Sequence, residues 1–153
     1  MATILVIESN HGRREALRYA LRKEGHEVIA TSSGHEGLLL FNQMEPDAVI
    51  LDMLVQDISG IMVILELGKR GFSKEAIIPL IDQGALISAE QMLAMTRAFG
   101  VKRALVRLFT SRQLLDQLHD LLAETAVETA HHGGMEHLHT CCPALTESVV
   151  MSA

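Results

Sequence analysis

The middle of the sequence reads Pro46-Asp47-Ala48-Val49-Ile50-Leu51-Asp52-Met53, a short apolar run that ends in an acidic residue. Other short apolar runs precede and follow it, and they alternate with longer segments whose apolar residues recur at helical spacing. This alternation is typical of βαβ units, in which parallel strands are covered on both faces and therefore read as continuous apolar stretches. The sequence predicts an α/β fold built on a doubly wound parallel sheet.

The pattern predicts five strands and five helices along the chain. The strands span residues 3–7, 27–31, 48–51, 77–81 and 104–107, and the helices span residues 12–24, 34–44, 60–69, 89–99 and 111–123. Three helix starts have the capping-box spacing, in which two side chains satisfy free amide groups reciprocally. These pairs are Ser33 with Glu36, Ser88 with Gln91 and Thr110 with Gln113.

The chain is long enough for one ordinary domain. At 153 residues it can bury a core of its own, and its length does not favour two domains. Because the periodic pattern fades near its end, we predict a domain over residues 1–123 and a flexible C-terminal tail over residues 124–153. The tail contains histidines and two adjacent cysteines, but their spacing matches no structural zinc motif.

Charge and hydropathy narrow the functional classes. The formal net charge is −6, whereas non-specific nucleic-acid binding depends on clustered Lys and Arg. No apolar run approaches the roughly 18 residues that would span a bilayer, and the N-terminus meets Glu8 too early for a signal peptide. We therefore expect a cytoplasmic protein with no direct nucleic-acid partner and no membrane segment.

Acidic residues follow two strands that we expect to be neighbours. In a sheet of order 2-1-3-4-5, the first and third strands are adjacent, and ligands bind beyond their carboxyl ends. Glu8 follows the first strand and Asp52 ends the third, so both carboxylates should face one crevice. Two carboxylates and a backbone carbonyl can hold Mg²⁺, which prefers hard oxygen ligands.

Over residues 3–122 the sequence resembles the receiver family of two-component signalling. The likeness is carried by Ile4-Leu5-Val6-Ile7-Glu8, the run from Pro46 to Met53, Gly60, and Ala104-Leu105-Val106-Arg107-Leu108-Phe109. The resemblance implies a flavodoxin-like (βα)5 fold in which Asp52 accepts a phosphoryl group from a histidine kinase or phosphotransfer protein. It also implies a Mg²⁺ site formed by Glu8, Asp52 and the backbone carbonyl of Leu54.

The sequence departs from the family pattern at the same site. Ser9 stands where a second acid is usual, so metal binding is expected to be weakened, and Gly84 stands where a switch hydroxyl is usual. The aromatic switch position falls at Ala104. Arg107 replaces the family lysine, so the positive charge is kept but lies on a planar guanidinium group with a different reach. Leu108 replaces the proline that follows, and because a cis bond before a residue other than proline costs roughly 3 to 4 kcal/mol, we expect a trans peptide there.

Two functional hypotheses follow, and neither makes the chain an enzyme. In the first, a single-domain receiver accepts phosphate at Asp52 and signals by contact with a downstream protein. In the second, a pseudo-receiver keeps the fold and binds partners without phosphorylation. A flavin-binding or hydrolase relative is disfavoured, because the loop from Glu8 to Arg13 lacks a hydroxyl-rich phosphate cradle and Leu54 stands where a second aspartate would be expected. The apolar third helix also suggests that the tail or a second copy, in a homodimer, covers it.

Overall fold

The computed structural model describes residues 1–83 and 86–141. Its five strands are β1 Thr3–Ile7, β2 Glu27–Thr31, β3 Ala48–Asp52, β4 Ile77–Ile81 and β5 Leu105–Val106. Its α-helices are α1 His11–Lys23, α2 Gly34–Met44, α3 Gly60–Lys69, α4 Ala89–Ala98 and α5 Ser111–Cys141, and a 3₁₀ turn, Lys74–Ala76, leads into β4. Within the described part of the chain, no helix combines the length and apolar composition needed to cross a bilayer.

The strands form one parallel sheet in the order β2-β1-β3-β4-β5, which confirms the predicted topology. In the register of this sheet, Ile7 lies opposite Leu51, and Asp52 lies opposite Leu80. The predicted fifth strand was too long, because only Leu105 and Val106 pair with β4. The register brings the carboxyl ends of β1 and β3 to the same edge of the sheet.

Apolar side chains cover the sheet on both faces. Every residue of β3 and β4 is buried, as a parallel strand between helical layers requires. On one face the buried side chains come from the strands, α1 and α5, and include Ile4, Val6, Leu21, Ile50, Leu114 and Leu118. On the other they come from the strands, α2, α3 and α4, and include Leu5, Ile7, Leu38, Leu51, Ile64 and Met92.

The predicted capping signals are confirmed in two cases and partly in the third. Ser88 and Gln91 form a reciprocal box at the start of α4, with their backbone N–H groups donating to each other's side chains. Thr110 and Gln113 do the same before α5. Ser33 caps α2, but the carboxylate of Glu36 accepts from a threonine hydroxyl instead of reaching back to the cap.

The last helix is longer than the sequence pattern predicted. We expected it to end near Ala123, whereas α5 continues to Cys141. The apolar stripe ends near residue 122, but residues 123–130 contain neither glycine nor proline, so nothing in that stretch breaks the helix. The chain divides into two units, Met1–Leu122 and Ala123–Ala153. Flexibility of the tail stays a prediction, and residues 142–153, with Cys142, lie outside the described part.

Candidate functional site

Three charged residues predicted for the site lie at the carboxyl edge of the sheet. Glu8 directly follows β1, Asp52 is the last residue of β3, and Arg107 directly follows β5. Glu8 and Asp52 are fully buried, with 0% of each residue exposed. A buried carboxylate is costly unless charged or hydrogen-bonding partners compensate it, so the partners of these two residues define the site.

Both carboxylate oxygens of Glu8 are occupied by protein donors. The backbone N–H of Asn10 donates to Oε1 over 2.9 Å, and the guanidinium of Arg13 donates to the same oxygen over 3.2 and 3.3 Å. Arg107 Nη2 donates to Oε2 over 3.0 Å. Asn10 also caps α1, accepting from the Arg13 N–H, and this places Arg13 in the first turn above Glu8.

The same two arginines contact a second carboxylate. Arg107 Nε lies against the carboxylate of Asp82, and Arg13 Nη1 lies 3.6 Å from Asp82 Oδ2. We call Glu8, Arg13, Asp82 and Arg107 the arginine–carboxylate cluster. Each arginine in it bridges both acids, so two positive charges balance two negative charges around the buried Glu8.

Asp52 is held by neutral donors. The hydroxyl of Ser9 donates to Oδ2 over 2.8 Å, and the backbone N–H of Leu54 donates to Oδ1 over 3.0 Å. Ser9 is the residue that stands where the family has a second acid, and in this structure it fixes the orientation of the Asp52 carboxylate. Leu54 contacts Asp52 through its backbone N–H, whereas the predicted metal ligand was the Leu54 carbonyl.

As arranged, these residues do not fit a divalent metal ion. Mg²⁺ needs oxygen ligands in near-octahedral geometry, whereas all four carboxylate oxygens of Glu8 and Asp52 already accept hydrogen bonds. Two guanidinium groups also contact Glu8. Among the residues that the structure describes, no group of three or more His, Cys, Asp or Glu side chains could hold a metal. The ligand roles of Glu8, Asp52 and the Leu54 carbonyl stay predictions.

Other expectations have mixed outcomes. The Arg107–Leu108 peptide is cis, so the predicted trans bond was wrong. That prediction used only the intrinsic preference of an isolated peptide, which does not by itself decide the isomer in a folded loop. Gly84, the switch hydroxyl position, lies outside the described residues. Ala104 lies half-buried just before β5 and cannot act as an aromatic switch.

The sequence analysis did not identify Arg13 or Asp82 as site residues. The signal that could have found Arg13 is Asn10, a good helix cap placed so that the first turn of α1 returns toward Glu8. Asp82 directly follows β4 and so shares the carboxyl edge with the other acids.

Asp57, also near this edge, has a structural role. Its carboxylate accepts from the Ser33 hydroxyl over 2.6 Å and from the N–H groups of Gly34 and His35 over 3.0 and 3.1 Å. The Ser33 hydroxyl and these amides at the N-terminus of α2 hold the pKa of the Asp57 carboxyl well below its usual range. Asp57 thereby ties the loop after β3 to the start of α2.

Comparison with known proteins gives one consistent result. The family model for the response regulator receiver domain matches residues 4–119. The response regulator MprA of Mycolicibacterium vanbaalenii is 30% identical over 122 residues, which cover 80% of this chain and 51% of the relative. The transcriptional regulatory protein AfsQ1 of Streptomyces coelicolor is 36% identical over 63 residues, or 41% of this chain and 28% of that relative.

A solved structure gives the same result for the fold. The crystal structure of a response regulator receiver domain protein from Clostridium thermocellum superimposes with a TM-score of 0.71 at 28% identity, covering 83% of this chain and 98% of that one. This chain thus matches almost the whole of a receiver domain. It spans only about half the length of MprA and less of AfsQ1.

Proposed function

The chain belongs to the response regulator receiver domain family, and we propose that it accepts a phosphoryl group at Asp52 and signals by contact with a downstream protein. The observation that carries this proposal is the placement of Asp52 at the end of β3, with its carboxylate oriented by Ser9 and Leu54. Receiver domains interact with histidine kinases and downstream effectors and generally bind Mg²⁺ at the phosphorylation site. We propose a signalling role for this chain, not an enzymatic one.

In the proposed reaction, an oxygen of the Asp52 carboxylate attacks the phosphorus of a phosphohistidine. The new P–O bond forms as the P–N bond to the donor imidazole breaks, and the released nitrogen takes up a proton. Such transfer depends mainly on positioning and on neutralising the phosphoryl oxygens. Arg107, in the family lysine position, is the residue we assign to that neutralisation. Because Asp52 is fully buried, its carboxylate must become accessible before a donor reaches it.

Treatment with a small-molecule phosphodonor tests the acceptor role. We expect an acid-labile adduct, detected by intact-protein mass spectrometry, that disappears in Asp52→Asn. Asp47→Asn is the matched control, because Asp47 lies just before the same strand, at its other end, and its carboxylate accepts only from the Thr3 N–H among the described hydrogen bonds. Absence of an adduct from the wild type, with and without Mg²⁺, would contradict the proposal.

The second candidate is a pseudo-receiver that binds partners without phosphorylation. One observation in its favour is the arginine–carboxylate cluster, in which guanidinium groups occupy the carboxylate of Glu8. Another is that Gly84 lacks a hydroxyl and Ala104 lacks an aromatic ring, the two side chains that would respond to a phosphoryl group. This candidate predicts that Asp52→Asn leaves partner binding and cellular phenotype unchanged. The specific kinase or phosphotransfer protein, a homodimer, the absence of nucleic-acid binding and a cytoplasmic location stay predictions.

A further inference from the structure

We propose that Arg13 and Arg107 supply, from within the chain, the positive charge that a divalent cation supplies in this class of site, so that the acidic edge is complete without metal. The inference concerns the same site as the proposed function. It does not depend on whether Asp52 is phosphorylated, because metal binding is measured on the unmodified protein.

The first argument is that both carboxylate oxygens of Glu8 already accept from guanidinium groups. A carboxylate oxygen that coordinates Mg²⁺ at about 2.1 Å must turn a lone pair toward the ion. In this structure Oε1 receives three donor atoms and Oε2 receives Arg107 Nη2 over 3.0 Å. A cation approaching Oε1 would therefore have to displace the Arg13 guanidinium, and a cation approaching Oε2 would lie beside the Arg107 guanidinium that donates to the same oxygen.

The second argument is the charge balance of the arginine–carboxylate cluster. Glu8 and Asp82 contribute two negative charges, and Arg13 and Arg107 contribute two positive charges. A divalent cation in this space would face both guanidinium groups, and Asp52, held by neutral donors, would contribute the one negative charge that the cluster does not already balance. Replacement of the second family acid by Ser9 lowers the negative charge further.

The third argument is that the arginines come from two separately anchored elements. Arg13 lies in the first turn of α1, which Asn10 caps, and Arg107 lies in the loop after β5. A neighbour, Arg14, donates to the backbone carbonyls of Glu8 and Ser9 over 2.9 and 3.3 Å. The loop after β1 is therefore held in place by arginine contacts to its backbone as well as to its carboxylate.

Binding of Mn²⁺, followed by water-proton relaxation, and of Mg²⁺, followed by calorimetry, tests the proposal. We expect the wild type to show no saturable binding at millimolar metal. The double variant S9D/R13A, which adds an acid and removes a cation, should bind Mn²⁺ about 10- to 100-fold more tightly than the control S9D/R18A, the range typical of changes around a metal site. The control S9D/R18A removes an exposed arginine of the same helix that pairs only with Glu15 among the described salt bridges, and should bind more weakly than S9D/R13A.

Two outcomes would overturn the proposal. One is saturable Mn²⁺ binding by the wild type that Glu8→Gln or Asp52→Asn abolishes. The other is equal metal affinity of S9D/R13A and S9D/R18A, with both shown to be folded by urea titration. Parallel incubations with phosphodonor in Mg²⁺ and in EDTA separate this proposal from the proposed function. Failure to form an adduct in both conditions counts against phosphorylation of Asp52 and leaves the metal result to decide the present inference, whereas an adduct that forms only in Mg²⁺ counts against the present inference.

Discussion

Replacing Arg107 by alanine removes the cation that joins Glu8 to Asp82 across the carboxyl edge of the sheet. Arg107 is 16% exposed at its side chain and Glu8 is 0% exposed, so this is a largely buried ion pair. Loss of one partner of a buried pair typically costs about 3 to 5 kcal/mol, because the remaining charge stays buried without compensation. Arg13 still covers Oε1 of Glu8, so we expect the low end of that range, about 3 kcal/mol.

Urea unfolding followed by far-UV circular dichroism measures this cost. The matched control is Arg18→Ala, which removes an exposed arginine paired with Glu15 on the surface of α1 and should change the unfolding free energy by less than about 1 kcal/mol. Arg107→Lys should recover only part of the loss, because a single ammonium cannot reproduce the fork that meets two carboxylates. Each variant should keep the wild-type dependence of the unfolding free energy on urea concentration.

A double-mutant cycle with Glu8→Gln identifies the source of the effect. If the loss arises from the uncompensated charge on Glu8, Arg107→Ala should cost much less in the Glu8→Gln background. A cost for Arg107→Ala below about 1 kcal/mol in the wild-type background, or an equal cost in both backgrounds, would refute the reasoning. In that case Arg107 would act through its contact with Asp82 or through packing of its aliphatic stem.

Three further changes probe other parts of the fold. Gly37→Ala would place a Cβ 2.4 Å from Ile7 Cδ1, so we expect a loss of about 1 to 3 kcal/mol in urea unfolding, whereas Gly12→Ala has ordinary space and should be neutral or slightly stabilising. Asp57→Ala should lower the unfolding free energy by about 1 kcal/mol, as for a lost helix cap, and an unchanged urea midpoint would contradict the capping role. Burial lowers the pKa of His26, so as the pH falls the imidazole is protonated in the unfolded chain before it is protonated in the folded protein. The unfolding free energy should therefore decrease as the pH drops below about 6.5. His26→Gln should flatten this pH dependence, and an unaltered slope would contradict the assignment to His26.

The fold could be predicted because its strands are buried on both faces. A strand such as β3 must be apolar along its whole length, so it is visible in the sequence without any partner. The length of β5 was less predictable, because it depends on how many residues β4 pairs with. The end of α5 was mispredicted because we equated the end of the apolar stripe with the end of the helix.

The sequence could predict those site residues whose positions follow from strand order alone. Glu8, Asp52 and Arg107 each sit at or just after the carboxyl end of a strand, and the strand order places those ends together. The reach of Arg13 depends on the local path of the loop before α1, and no periodic pattern encodes that path. The contact of Arg107 with Glu8 depends in the same way on the path of the loop after β5, so strand order brings the two residues to one edge without specifying their pairing.

Ser9 and Arg13 both make the site less negative than the family pattern. This determines which substitutions would restore metal binding. Ser9 removes a negative charge and gives Asp52 a hydroxyl donor, while Arg13 adds a positive charge on Glu8. Restoring the acid alone, as Ser9→Asp, would place a second carboxylate beside the buried Asp52 and remove that donor, while both guanidinium groups stayed on Glu8. Like charges brought close together in a buried site repel strongly. We therefore expect Ser9→Asp alone to be less stable than the wild type and to bind Mn²⁺ more weakly than S9D/R13A, and tight binding by the single variant would show that the arginines do not limit access to the site.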